Sequence, residues 1–355
     1  MIPLALAALT GCPHPPVVIP VDWTETPHLP APTAPVYAAV PSKPLDRGVS
    51  TVVGLRTWDV TLAGAATGLA LSILDGSGSL TVPEIRDRTI RAGWPYPVQS
   101  AQVWSGATSS PPPPGVQEWL GKLPAGASIG LVRARGASED LWVGLASTVR
   151  VDLGELPRQL PVGATLKIPA VPGAEVWVAD PYGRLDHGVL EMPYTRTTDA
   201  AGEWLVEVRD RTGALANFPV YVGMVPPDLG LLAPGPLPSE WQDADALVVD
   251  ILAELREAYG FRPYADDLLL QTAARSAAAD PTLDVKSIAP QIGLPPASVW
   301  RWECQAPTIE GCLDAILWDV RARPGLLSTR AIYGREIQLT TNGVRIVLVV
   351  ARETE

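Results

Sequence analysis

The chain has 355 residues, a formal net charge of −11, 47% hydrophobic residues and 18% charged residues. It is too apolar to be disordered, yet it has no run of about 18 apolar residues that would span a bilayer, so a polytopic membrane protein is excluded. The negative charge and the lack of a basic cluster oppose nucleic-acid binding, and the length predicts two or three compact domains.

Histidine and cysteine are too scarce for several kinds of active site. A zinc site needs three or four converging ligands, and serine and cysteine hydrolases usually need a histidine base in the folded body. We therefore predict no catalytic residue, no metal site and no cofactor. The histidines and cysteines are His14, His28, His187, Cys12, Cys304 and Cys312.

The chain begins with a short apolar segment, residues 1–11, that leads directly into Cys12. Residues 9–12, Leu-Thr-Gly-Cys, resemble the lipobox of bacterial lipoproteins, which is an aliphatic residue, a small residue, Gly or Ala, and then Cys. The resemblance implies a signal-peptide remnant at 1–11, acylation of Cys12, and attachment to a membrane through that lipid. The alternative is an N-terminal apolar segment with an unmodified thiol.

Residues 12–48 are rich in proline and poor in charge, with repeated Pro-x-Pro sequences. Such a composition favours polyproline II and predicts a tether between the lipid anchor and the folded body. About 35 residues at ~3.1 Å each would extend roughly 100 Å. Trp23 and Tyr37 are the residues of this segment that are candidates for docking on the body.

Residues 49–160 combine helical and strand patterns. A helix is predicted between Thr81 and Gly93, because a capping-box spacing opens it and glycine favours its end. Two apolar segments, 131–135 and 141–145, flank a short polar stretch and predict a β-hairpin. This segment is predicted to be a small α+β domain.

Residues 161–223 contain short strand patterns separated by turn residues, and they predict a β-sandwich. The segment 202–208, Gly-Glu-Trp-Leu-Val-Glu-Val, resembles a strand of bacterial immunoglobulin-like modules, which implies an Ig-like sandwich. The Asp-His-Gly sequence at 186–188 is predicted to form a loop in this domain. The proline-rich residues 224–238 predict a linker.

Residues 239–355 carry the clearest helical patterns. Ser239 and Gln242 have a capping-box spacing, and apolar residues then recur at helical intervals until Gly260. The remaining predicted elements are a helix beginning near Asp266, a helix capped by Thr308, and a hairpin of residues 336–339 and 344–350.

This order of helices and hairpin resembles the CAP superfamily of cysteine-rich secretory and pathogenesis-related proteins, over about a third of the chain. The resemblance implies an α-β-α sandwich. In the family two His and two Glu form a cleft that can hold a divalent cation, but residues 239–355 contain no His, and Leu326 stands at a family histidine position. The motifs that carry the resemblance are Leu255-Arg256-Glu257-x-Tyr-Gly-Phe-x-Pro-Tyr, Trp302-Glu303 and Arg323-Pro324-Gly325.

Glu303 and Glu336 are the candidate residues of a vestigial cleft. Carboxylates without imidazole make a poor zinc site and at best a weak site for a hard cation. Cys304 and Cys312 lie eight residues apart, in a predicted loop and in the first turn of a predicted helix, and in an oxidising envelope compartment they are predicted to form a disulfide. The alternative is a pair of small buried thiols.

Two further features of the sequence bear on function. The G-x-S-x-G sequence around Ser128 lacks the context of a nucleophile elbow, because a strand rather than a helix is predicted after the serine. The 12 Trp against 2 Phe are unusual. They serve either as core residues, the favoured interpretation, or as an exposed platform for a glycan or peptide.

Together these patterns predict a multidomain α+β protein: a small α+β domain, an Ig-like β-sandwich and a CAP-like α-β-α sandwich. We expect it to be lipid-anchored in the cell envelope, at the outer membrane or cell surface. There it would act as a non-catalytic binding or structural module for an unidentified protein or glycan. The competing hypothesis is an envelope hydrolase that uses the carboxylates of the CAP-like cleft.

Overall fold

The structure is a computed structural model, and it describes residues 19–20, 35–44, 46–54, 56–76, 78–107, 111–136, 139–226, 235–327 and 331–352. The predictions that concern Cys12, the segment 1–11 and Trp23 lie outside these residues. No helix of the described ranges has both the length and the hydropathy to cross a membrane.

The described part of the chain contains both helices and strands. The helices are α1 (Arg47–Val53), α2 (Val60–Leu74), α3 (Val82–Ala92), α4 (Pro114–Lys122), α5 (Trp241–Ala258), α6 (Leu268–Ala279), α7 (Ile309–Leu317) and α8 (Arg323–Leu326), with 3-10 segments at Val285–Ile292 and Pro296–Ser298. The strands are β1 (Ile19–Pro20), β2 (Val36–Tyr37), β3 (Pro41–Ser42), β4 (Thr57–Asp59), β5 (Ser100–Ala107), β6 (Ser128–Arg135), β7 (Glu139–Ser147), β8 (Leu156–Pro157), β9 (Gln159–Leu160), β10 (Thr165–Ile168), β11 (Glu175–Ala179), β12 (Leu185–Val189), β13 (Tyr194–Thr197), β14 (Gly202–Asp210), β15 (Gly213–Val222), β16 (Ala265–Asp266), β17 (Val299–Ala306), β18 (Ala331–Thr340) and β19 (Gly343–Arg352).

The mixture of helices with mixed and antiparallel sheets confirms the predicted multidomain α+β class. The chain forms two compact units, and the first contains residues 39–80 and 98–148 together with β1. The second contains 35–38, 81–97 and the chain from residue 149 onward. The predicted helix α3 is present and ends at Gly93, which adopts a left-handed conformation with φ of 90°. It belongs to the second unit, because it packs against α7 there and Arg86 pairs with the buried Asp314.

The first unit is built on a six-stranded sheet with the order β3-β4-β6-β7-β5, and β1 also pairs with β6. The predicted hairpin is β6 and β7, with Leu131 opposite Gly144. Helix α2 lies close against one face of this sheet, where a Cβ at Gly130 would collide with the backbone of Leu62. Gly130 is opposite Leu145, so the next residue along β7, Gly144, faces the other side of the sheet. On that side Trp119 of α4 packs on Gly144.

In the second unit, residues 156–222 form a five-stranded sheet, β12-β11-β14-β15-β9, and a two-stranded sheet, β10-β13. The short strand β2 pairs with β8, and the side chain of Tyr37 is fully buried and donates a hydrogen bond to the Pro219 carbonyl at 2.8 Å. The end of the predicted tether is therefore part of the fold. The loop predicted at 186–188 was wrong, because these residues lie within β12 and pair with β11.

The C-terminal region of this unit contains a four-stranded sheet with the order β16-β18-β19-β17. Side chains of α5 and α7 pack on one face of β19, against Ile346 and Leu348, while α6 and the first 3-10 segment pack on the other, against Val347 and Val349. The predicted α5, α6, α7 and hairpin are present, and Thr308 caps α7 by accepting a hydrogen bond from the Gly311 amide. The sequence did not predict β17, which is an edge strand.

Candidate functional sites

The two candidate cleft carboxylates lie on one face of the C-terminal sheet. Glu303 on β17 and Glu336 on β18 are each directly opposite Val347 on the strand between them. Residues in one such row point to the same face, so the two side chains lie on the α6 side, with their Cα atoms about 10 Å apart across two strand spacings. The fold therefore brings these residues to one face but separates them by the buried Val347.

Both carboxylates are paired with arginine. Glu303 accepts hydrogen bonds from Arg345 Nε at 2.7 Å and from Arg301 Nη2 at 2.6 Å, one on each carboxylate oxygen. Glu336 lies 3.7 Å from Arg275 Nε. The Arg345 hydrogen bond holds the pKa of Glu303 below its usual range against the opposing effect of its slight burial, and Arg301 lowers the pKa further.

This arrangement is unsuited to acid chemistry or to cation binding. A general acid at neutral pH needs a raised pKa, and Glu303 has a lowered one. A cation would have to displace guanidinium groups from both oxygens. Within the described residues, no group of three or more His, Cys, Asp or Glu side chains is placed to hold a metal ion.

The structure joins Cys304 on β17 to Cys312 on α7 as a disulfide, with Cα atoms 5.4 Å apart. The sequence pattern had placed Cys304 in a loop, but it lies on the edge strand. The bond therefore ties the strand that carries Glu303 to the helix packed across the sheet. Cys312 is fully buried, so this half of the pair is inaccessible from solvent.

The other candidate residues, Ser128 and His187, occupy structural positions. Ser128 begins β6 and is buried, with a strand and no helix after it, so a nucleophile elbow is absent there. His187 stacks on Trp177 with ring centroids 4.1 Å apart, and its Nε2 lies 3.3 Å from a Glu175 carboxylate oxygen. The stacking on Trp177 and the contact with Glu175 account for the position of the His187 ring on the sheet surface.

A groove of about 560 Å³ lies between α4 and the edge strand β5 of the first unit. Its centre is Trp104, which is half-buried and meets Trp119 edge to face, with ring centroids 5.4 Å apart and planes at 63°. Trp119 donates a hydrogen bond to Ser100 Oγ at 2.8 Å, which fixes its ring. The side chains that form the groove and its rim are Gln99, Gln102, Trp104, Glu118, Trp119 and Lys122.

Two glycines make room for these rings. A Cβ at Gly144 would lie 2.8 Å from Trp119 and 3.1 Å from Trp104, and a Cβ at Gly115 would lie 2.7 Å from Trp104 Nε1. The sequence offered the tryptophans as a possible platform but could not predict that Trp104 and Trp119 meet, because the parts of the site come from three separate segments. The available signal was glycine within the otherwise apolar strand β7, which often marks close approach of another group.

A second, smaller groove of about 280 Å³ lies in the second unit, with Tyr182, Met224 and Phe261 in its lining. Its wall contains a buried ion pair, in which Arg323 Nη2 donates to Glu203 Oε1 at 2.6 Å. The polar groups in this wall are engaged with each other, so the groove offers mainly apolar surface.

No protein-family model, no curated protein and no solved structure matches this chain. Function must therefore be argued from the chemistry of the sites themselves.

Proposed function

We propose that the chain is a lipid-anchored binding protein of the cell envelope that performs no catalysis and holds its ligand in the Trp104 groove. The observation that carries the proposal is the contrast between two sites. Beside the half-buried indole of Trp104, the side chains of Gln102 and Glu118 have no hydrogen-bonding partner among the described residues. In the C-terminal sheet, both carboxylate oxygens of Glu303 are occupied by arginines.

The anchor rests on the lipobox at residues 9–12. Acylation of Cys12 would place the protein at the outer membrane or cell surface, where the groove would meet envelope material. Mass spectrometry of the mature protein tests this, with a diacylglyceryl-modified Cys12 as the expected N-terminal residue. An unmodified Met1 would refute the anchor.

We also propose finer fold assignments for two segments, a CAP-like domain at 239–355 and an Ig-like sandwich at 161–223. The first is supported by the helix, sheet, helix layering around β19. The second is supported by the antiparallel pairing of β11, β14 and β15. An experimental structure superposed on solved domains of each class is the test, and a different strand order in either segment would contradict its assignment.

Binding is tested by cosedimentation of the purified protein with an insoluble envelope fraction that contains both glycan and protein. We expect the wild-type chain to sediment and Trp104→Ala to remain in solution. Trp241→Ala is the matched control, since it removes an indole that is 44% exposed and lies outside the groove. Equal sedimentation of the wild type and Trp104→Ala would refute the groove as the ligand site.

The competing hydrolase hypothesis is tested by turnover. Purified protein is incubated with peptidoglycan or casein in the presence of calcium, with Glu303→Gln as the comparison. The paired Glu303 carboxylate predicts no turnover by either protein. Turnover that Glu303→Gln abolishes would establish the hydrolase in place of the binding protein.

A further inference from the structure

We infer that the ligand of the Trp104 groove is a neutral glycan, a chain of uncharged sugar rings. This inference rests on the proposed binding function and names its ligand class. It is drawn from the fixed indole, the unpartnered polar groups around it and the charge of the lining.

The indole of Trp104 is a rigid surface of the kind that holds a sugar ring. It is held on β5 against the edge-to-face ring of Trp119, and the missing side chain of Gly144 leaves room for both rings to approach strand β7. The face of an indole is electronegative, so it attracts the weakly positive C–H groups on one face of a pyranose. Little side-chain entropy is lost on binding, because the rings are already held in place.

The rim supplies hydrogen-bonding groups that are free to meet hydroxyls. The side chains of Gln102, Glu118 and Lys122 are exposed, and none of these side chains makes a hydrogen bond or ion pair with another described residue. Trp104 Nε1 also has no acceptor among the described residues and is not a buried, unsatisfied atom. An amide, a carboxylate, an ammonium and an indole N–H provide both donors and acceptors, which suits hydroxyl groups that do both.

The charge of the lining argues against charged ligands. One carboxylate, Glu118, and one ammonium, Lys122, give the groove no net charge, and the whole chain carries −11. A polyanion would be repelled by the chain, and the groove has no excess of acidic groups to attract a polycation. The other ligand class that fits β5 is an extended peptide added to this open sheet edge. The groove groups that lack hydrogen-bonding partners belong to side chains around an indole, whereas an added peptide strand would pair with backbone groups. This arrangement favours the glycan.

Isothermal titration of the purified protein against a panel of oligosaccharides tests the inference. The panel contains hexasaccharides of β-1,4-glucose, α-1,4-glucose, β-1,4-N-acetylglucosamine and β-1,4-mannose. Polygalacturonate and a mixture of extended hexapeptides serve as charged and peptide comparisons. We expect at least one neutral oligosaccharide to bind and to quench tryptophan fluorescence.

The variants then locate the site. Trp104→Ala should lower the affinity at least tenfold, Gln102→Ala should lower it severalfold, and Trp241→Ala should leave it unchanged. Gln102 is exposed, so its variant tests binding without disturbing the core. Failure of every neutral oligosaccharide to bind, or binding that Trp104→Ala retains, would overturn the glycan inference.

The two proposals can fail separately. If sedimentation with the envelope fraction depends on Trp104 but only the peptides bind in the titration, the groove is the ligand site and the ligand is a peptide. If sedimentation does not depend on Trp104, the proposed function itself is wrong.

Discussion

Removing the charge of Glu203 should destabilise the second unit strongly. Glu203 on β14 and Arg323 on α8 form an ion pair whose side chains are only 3% and 5% exposed. Tyr259 donates a second hydrogen bond to Glu203 at 3.2 Å and lies beneath the guanidinium, with the Arg323 Cζ 5.1 Å from the ring centroid. Burial works to lower the pKa of Arg323, but Glu203 and then Tyr259 hold it above its ordinary value, so the arginine stays charged.

The magnitude follows from the charge that the substitution would leave behind. In Glu203→Gln the guanidinium stays buried without a counterion, and breaking a buried pair in this way costs about 3–5 kcal/mol. Because the side chains of Arg323 and Glu203 are at most 5% exposed, we expect the loss to fall within that range. The double variant Glu203→Gln with Arg323→Met removes both charges and should recover most of the loss.

The assay is urea unfolding followed by far-UV circular dichroism and tryptophan fluorescence, with the free energy of unfolding taken from the transition of the second unit. Asp199→Asn is the control, because Asp199 and Arg184 form an ion pair with side chains 56% and 52% exposed, and its loss should change stability by less than about 1 kcal/mol. If Glu203→Gln were no more destabilising than Asp199→Asn, the argument from burial would be refuted.

Three further outcomes follow from named contacts. Burial raises the pKa of Asp59 to about 6 from 3.8, so its contribution to stability is present below pH 3.8 and is lost as pH rises through 6. In urea unfolding at several pH values, the free energy of unfolding of Asp59→Asn should therefore rise relative to that of the wild type across this window, and parallel pH curves would contradict this. Thiol titration of the denatured, non-reduced protein should show neither Cys304 nor Cys312 free, and replacing both with Ser should cost about 2–3 kcal/mol; two free thiols would exclude the bond. Tyr37→Phe should lose about 1 kcal/mol with its buried hydrogen bond to Pro219, measured by thermal unfolding, and an unchanged melting temperature would show that this hydrogen bond contributes no stability.

Local signals in the sequence were sufficient for four of the eight helices of the described residues, α3, α5, α6 and α7, and for the hairpins β6–β7 and β18–β19. The helix before Gly93 and the helix after Thr308 were predicted because a cap and a left-handed glycine act on the residues next to them. The strand β17 was not predicted, although its sequence from Trp300 to Ala306 alternates apolar and polar residues with the period of a half-buried strand. The signal for this strand was therefore present in the sequence.

The candidate sites show a different limit. The sequence identified Glu303 and Glu336 as candidates, but Arg345, which occupies one carboxylate oxygen of Glu303, became apparent only through the pairing of β17 with β19. The groove depends even more on tertiary structure. Trp104 meets Trp119 only because β5 pairs with β7 and α4 crosses Gly144. A spacing of 15 residues between two Trp carries no such information.

The proline-rich segment 12–48 shows that composition alone does not predict where a tether ends. Proline content alone predicted a flexible segment through residue 48, yet Tyr37 is fully buried and its strand pairs with β8. The chain pairs with the fold even earlier, at β1, where Ile19 lies opposite Arg135, so the segment available as a tether ends by Ile19, seven residues after Cys12, and at ~3.1 Å per residue reaches no more than about 22 Å. A lipid-anchored protein would therefore hold this strand nearer to its membrane than the composition suggested.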